Sequence, residues 1–297
     1  MTKKYHFNRK KLLDNIDKAL NDDLSNKKIK NSLVSVIEQY IKAHSDNIKN
    51  CFMDNKDSIQ ASKLRSKLID SVILTVFDIL VLVKFPISNP TTSDYLSIIA
   101  TGGYGRKNLA PGSDIDILIL TPYKITPRIE KIAETLLYVL WDLKLKVGYA
   151  VRSLEESISK SRSDNTICTS LIDARLVAGN QSLWLNFQKS FKNEILNKEK
   201  YNFFYEKLKE KNNRHKRMGD STYLVEPNVK EGKGGIRDLN TIKWIISFIY
   251  QVDDISKLVN MNILSKDELL LYNNELRIYY YRSWTCRNTI RLFFSAT

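Results

Sequence analysis

The chain has 297 residues, enough for one large or two compact domains, and its 43% hydrophobic content can fill a core, which argues against wholesale disorder. Its formal charge of +14 comes from dispersed lysines with no arginine–aromatic alternation, a pattern of solvated helix faces rather than a base-stacking platform. Such a surface also suits triphosphate capture or an acidic protein partner. Cys51, Cys168 and Cys286 are odd in number and widely spaced, which excludes a disulfide framework and a zinc cluster. The amino-terminal stretch lacks the apolar core of a signal peptide. The longest apolar run, Val72 to Val83, is too short for a bilayer span, so the expectation is a cytoplasmic chain with no membrane segment.

Residues 8–54 read as helical. Leu12, Leu13, Ile16, Ala19 and Leu20 form one apolar stripe, and Ile29, Leu33, Val36, Ile37, Tyr40 and Ile41 another, with a break at Asn21-Asp22-Asp23. A third helix is expected from about Ile59 to Phe85, stopped by Pro86. This leading region, residues 1–90, carries no visible chemistry.

Residues 98–120 are the informative stretch. Ile98–Ala100 suit a buried strand, and Gly102, Gly103 and Gly105 then permit backbone angles that side chains forbid and let a ligand approach the main chain. Pro111-Gly112 marks a second turn, and Asp114 and Asp116 lead into the apolar run Ile117–Leu120. In a strand, alternate residues share a face, so the two carboxylates would project together, roughly 6.6 Å apart at the backbone. Like charges so placed repel unless a cation lies between them. Mg²⁺ takes oxygen ligands, typically one or two carboxylates plus substrate phosphates. A glycine turn able to cradle phosphate, beside a carboxylate pair able to hold Mg²⁺, is a site for a nucleoside triphosphate; a calcium-like surface loop or a solvated strand edge is the plainer alternative. No Gly-Lys-Ser/Thr follows the glycines and no Gly-x-Gly-x-x-Gly is present, so neither a Walker loop nor a dinucleotide fingerprint is read here.

A helix is expected from Pro127 to Trp141 and a strand from Leu145 to Arg152, completing a core over residues 91–155. The following stretch, 153–180, reads as a helix in which Asp173 and Arg175 interrupt apolar residues, with Gly179-Asn180 as its stop. Residues 183–217 are a long charged helical stretch, in which His215 reads as a solvated surface residue. Residues 223–240 form a glycine-rich loop bearing Asn228, Lys230, Lys233 and Arg237, followed by a helix from about Ile236 to Tyr250. That loop reads either as an anion site, with Lys230 or Arg237 neutralising triphosphate and Asn228 meeting a base or ribose edge, or as a tight structural turn. The remainder is helical and stops abruptly after an apolar run, as a piece of a longer protein would.

The segment Gly-Gly-Tyr-Gly-Arg…Ser-Asp-Ile-Asp resembles the active-site segment of polymerase-beta-like nucleotidyltransferases. With Leu-Ile-Asp-Ala-Arg-Leu-Val-Ala-Gly at 171–179 and Glu-Pro-Asn-Val-Lys-Glu-Gly-Lys-Gly-Gly-Ile-Arg-Asp at 226–238, it resembles the bacterial PII uridylyltransferase family. The resemblance implies an α+β fold: a small mixed sheet with a helical lead-in and a helical domain over 156–297. It also implies UTP as donor and a tyrosine of the signalling protein PII as acceptor. Asp114 and Asp116 would be catalytic metal ligands, Gly102, Gly103 and Ser113 would cradle phosphates, and Arg106 would offer them donors or pair with a helix. Many relatives carry a third carboxylate on the last core strand; none lies between Asp142 and Glu155 here, which leaves the general base open. Asp173 reads first as half of a structural ion pair and otherwise as a supplementary carboxylate near the metal. Full-length members are expected to add an uridylyl-removing His-Asp hydrolase and glutamine-sensing ACT domains. Neither is expected in this chain, whose His6, His44 and His215 are not followed by Asp. Transfer to RNA or a small molecule, or nucleotide binding without catalysis, are the competing readings.

Overall fold

A computed structural model of the chain describes residues 7, 9–21, 26–197, 200–217, 228, 230–252 and 254–294. The break expected at Asp22-Asp23, the Glu226-Pro227 part of the third motif and the last three residues lie outside them, as do the side chains of Ala19, Leu20, Ile29, Cys286, Ile290 and Leu292. The first elements are α1 (Arg9–Asn21), α2 (Asn26–Asn55), α3 (Ser58–Ile79), β1 (Ser97–Ala100), α4 (Gly102–Gly105), β2 (Ile115–Thr121), α5 (Pro127–Asp142) and β3 (Val147–Ser153). There follow α6 (Leu154–Ser163), α7 (Asn165–Ile172), β4 (Arg175–Gly179), α8 (Gln181–Phe191), α9 (Lys200–Arg217), α10 (Ile236–Tyr250), α11 (Lys257–Asn260) and α12 (Lys266–Phe294). Two compact units result: Met1–Glu156 with Asp173–Leu185, and Ser157–Ile172 with Asn186–Thr297. No helix among the described residues is long and apolar enough to cross a membrane.

The first unit is built on a sheet of order β3-β2-β1-β4. β1 runs antiparallel to β2 and β4, while β2 and β3 are parallel. Parallel neighbours need a crossover, and α5 supplies it. Thr126 starts that helix by accepting a hydrogen bond from the Ile129 amide at 3.3 Å, with Pro127 in the first turn, where its missing N–H costs nothing. Ile98 and Ala100 of β1 and Ile115, Ile117 and Ile119 of β2 are buried in one core with Ile132, Leu136 and Leu140 of α5 and Ile69, Val72 and Ile73 of α3. The period of two along β2 therefore puts Asp116 on the other face of the sheet.

The structure corrects the reading of residues 173–180. The helix stops at Ile172, and Arg175–Gly179 is a strand on the open edge of β1. Gly179 ends this strand with φ +97°, and a Cβ there would sit 2.3 Å from the Leu96 carbonyl oxygen, so only glycine fits. Asn180 then starts α8, accepting from the Leu183 amide at 2.8 Å. In the second unit α7, α9 and α10 pack together. The Phe203 and Phe248 rings stack 4.0 Å apart, and the buried Lys207 lies over Trp244 while donating to Glu210 at 2.6 Å.

Candidate active site

The glycine turn is one turn of helix between β1 and the loop to β2. The Gly105 amide donates to the Thr101 carbonyl at 2.8 Å and the Arg106 amide to the Gly102 carbonyl at 3.1 Å. The Thr101 amide donates to the Asp116 carbonyl at 3.0 Å, tying the turn to β2. Gly102 takes a left-handed φ of +55°. Gly105 is required by close approach: a Cβ would lie 2.2 Å from the Asp173 carbonyl oxygen and 3.0 Å from that of Ala100.

Asp116 is set within β2, whereas β2 begins at Ile115, so Asp114 stands in the exposed approach to the strand. The Asp116 carboxylate occupies space that two glycines leave open. A Cβ at Gly102 would come 3.2 Å from Oδ2, and one at Gly148 would come 2.6 Å from Oδ1. Gly148 is the β3 residue paired with Asp116, so the bare position is level with the carboxylate. The sequence reading did not single out Gly148, although a glycine inside a strand marks close approach.

Asp173, expected as a third metal ligand, has another partner. Its buried carboxylate is ion-paired with Arg106, and among the described residues no group of three or more His, Cys, Asp or Glu is arranged to hold a metal ion. A buried carboxylate beside a guanidinium has its charge met by that cation. The second motif thus braces the glycine turn twice. Arg175 donates through Nε to the Gly105 carbonyl at 3.2 Å and through Nη2 to the Tyr104 carbonyl at 3.3 Å, with its guanidinium 4.9 Å from the centre of the Tyr104 ring. Nη2 also meets Asp70 of α3 at 2.8 Å, and the fully buried Tyr104 donates its hydroxyl to the same carboxylate oxygen at 2.6 Å. Burial, and the Asp70 charge beside it, push the Tyr104 phenol well above its ordinary pKa. Asp70 was invisible as a functional residue, though a carboxylate between Ile69 and Val72 on a buried helix is an anomaly that asks for a partner. From α3, Ser66 Oγ also accepts the Leu109 amide at 3.3 Å.

The third motif lies in the second unit. Asn228 Oδ1 accepts from the amides of Lys230 and Glu231, both at 3.0 Å, so that oxygen closes its own turn. Gly232 is held there because a Cβ would come 2.7 Å from the Asn228 carbonyl oxygen. Arg237 pairs with Glu231 at 3.2 Å, and Lys230 is exposed. Asp238 is the keystone: it pairs with Arg214, lies 2.9 Å from His215 Nε2, and accepts the Gly234 amide at 2.9 Å. His215 is therefore not the solvated residue its lysine-rich surroundings imply; its side chain is 12% exposed.

A glycine turn and an aspartate-bearing strand in a small mixed sheet define a nucleotidyltransferase, and residues 92–172 match the nucleotidyltransferase domain family. Residues 202–294, in the second unit, match the family described as GlnD PII-uridylyltransferase. The chain is 38% identical over 260 residues to a bifunctional uridylyltransferase/uridylyl-removing enzyme of Azospirillum brasilense, covering 88% of this chain and 28% of that protein. Proteins of the same description from Novosphingobium aromaticivorans and Rhodospirillum rubrum are 47% and 43% identical, each match covering 68% of this chain and 22% of the relative. Two separate parts of the chain thus match these two family models, and the chain spans about a quarter of the length of the curated relatives it matches.

Proposed function

We propose that the chain transfers UMP from UTP to a tyrosine of the PII protein and releases pyrophosphate. The observation that carries this reading is the Asp116 carboxylate seated between Gly102 and Gly148 beside the glycine turn. Mg²⁺ fits these residues: Asp114 and Asp116 are the hard oxygen donors it takes, and the glycines leave room that Cβ atoms would fill. When bound, the ion supplies positive charge to the triphosphate and to the departing pyrophosphate. The chain's own residues do the positioning. Gly102 and Gly103 let phosphate oxygens approach the backbone, and Ser113 adds a hydroxyl. Arg106, its guanidinium anchored by Asp173, orients donors toward the glycine turn. The acceptor phenol oxygen bonds to the α-phosphorus as the bond to pyrophosphate breaks, and the phenol proton is released to solvent. Lys230, Arg237 and the side-chain amide of Asn228 are proposed to assist nucleotide binding.

The test is incubation with α-labelled UTP, Mg²⁺ and purified PII. Label on PII that disappears in Asp116→Asn supports the reading. Label on added RNA instead, or nucleotide binding without transfer that Asp116→Asn leaves unchanged, refutes it.

A further inference from the structure

The outer edge of β3 has three properties that meet nowhere else in the first unit's sheet. β3 is hydrogen-bonded to β2 and to no other described strand, so among the described strands nothing continues the ladder along the Val147–Val151 stretch of its other side. It carries exposed aromatic rings on the α5 side. Tyr149 of β3 lies edge-on to Trp141 at 6.1 Å, and Trp141 lies edge-on to Tyr138 at 5.7 Å, with exposures of 52%, 42% and 53% respectively. On the opposite face the strand is nearly bare: Gly148, exposed and level with Asp116, is followed on that face by Ala150. One side of the strand is thus an aromatic shelf, and the other is an open path to the catalytic carboxylate.

We propose that the acceptor protein docks here as an extended segment added to the edge of β3, with its tyrosine passing over Gly148 toward Asp116; this rests on the reading of a protein tyrosine as acceptor. Strand addition uses the unpaired backbone for affinity and alternate side chains for specificity. Strands pair at about 4.8 Å, so the added backbone lies about 10 Å from β2, a gap that the tyrosine and the Asp116 side chain narrow from opposite ends. Alternation then sends the residues flanking the tyrosine to the other face, onto Trp141 and Tyr149. Aromatic rings are the side chains that most often anchor such contacts. The exposed Lys146 at the entrance of β3 favours an acidic residue in the incoming segment. A side chain larger than glycine at position 148 would close the path.

The test combines kinetics with hydrogen exchange on the whole chain. In the double variant Trp141→Ala/Tyr149→Ser, the KM for PII is expected to rise roughly tenfold or more, while binding of UTP with Mg²⁺ and the thermal midpoint stay as in the wild type. Adding PII to the wild-type chain is expected to slow amide exchange within residues 147–152. If the wild type labels PII but the variant keeps its KM and those amides stay unprotected, the docking site is refuted and the transfer reading stands. If the wild type labels no PII, the transfer reading fails and the docking proposal falls with it. Protection that grows with the chain's own concentration in the absence of PII assigns the edge to a second copy and overturns the proposal.

Discussion

Gly148→Ala separates the seat of Asp116, the proposed catalytic carboxylate, from the stability of the fold. The added Cβ would lie 2.6 Å from Asp116 Oδ1, whereas ordinary contact begins near 3.4 Å, so about 0.8 Å of movement is needed (3.4 − 2.6). The clashing atom is the tip of a short side chain, and Gly148 is exposed on an edge strand, so the carboxylate rotates away more readily than the sheet deforms. Overpacking in a closed core costs about 1–3 kcal/mol, and the cost here is expected at or below the low end of that range. Catalysis is less tolerant: misplacing a reacting group by about 1 Å can cost about a hundredfold in rate. The expected outcome is a thermal midpoint within a few degrees of wild type and transfer to PII reduced by about two orders of magnitude. Full transfer activity in Gly148→Ala would show that Asp116 is not seated against this glycine. A collapse of the midpoint together with activity would show that the glycine serves the sheet and not the site.

Asp114→Asn and Asp116→Asn should each reduce transfer about a hundredfold or more while leaving circular dichroism unchanged; Mg²⁺ titration of UTP binding checks the same residues. Tyr104→Phe removes the hydroxyl held by Asp70 and should cost about 1 kcal/mol in urea unfolding, and Asp70→Asn, which also strips Arg175 of its carboxylate, up to about 3 kcal/mol. Equal midpoints for both variants and wild type would mean that α3 does not brace the glycine turn. In the second unit, Asp238→Asn leaves the buried Arg214 uncompensated and should destabilise by about 3 kcal/mol, measured as a shift in the urea midpoint. Burial pushes the Cys168 thiol from 9.0 up to about 12, so above pH 9 the unfolded chain loses this proton while the folded chain keeps it. Its stabilising contribution is complete below pH 9 and is lost as pH climbs toward 12; urea midpoints between pH 8 and pH 11.5 should fall less steeply in Cys168→Ala.

Much of this was written in local pattern. The run Ile115, Ile117, Ile119 alternating with Asp116 fixes a strand, its buried side and the side of the carboxylate. The glycines before it announce a turn, and the apolar stripe of 127–141 announces the crossover helix. Where prediction failed, the deciding partner was distant in sequence. Arg175–Gly179 reads as the end of an apolar helix, yet the free edge of β1 recruits it as a strand 75 or more residues away from its partners. Asp173 reads either as half of an ion pair or as a metal ligand, and only the fold names Arg106, 67 residues earlier, as its partner. His215 sits among lysines, and only Asp238, brought over from α10, removes it from solvent.

Side-chain type and spacing determined most of the elements and carried the family resemblance, because periodicity and turn chemistry act over a few residues. Tertiary structure alone decided which charges are partners and which face water, and where Asp116 finds room between two glycines 46 residues apart (148 − 102). Those are questions of proximity, and proximity between distant residues exists only once the chain has closed its sheet and buried its core.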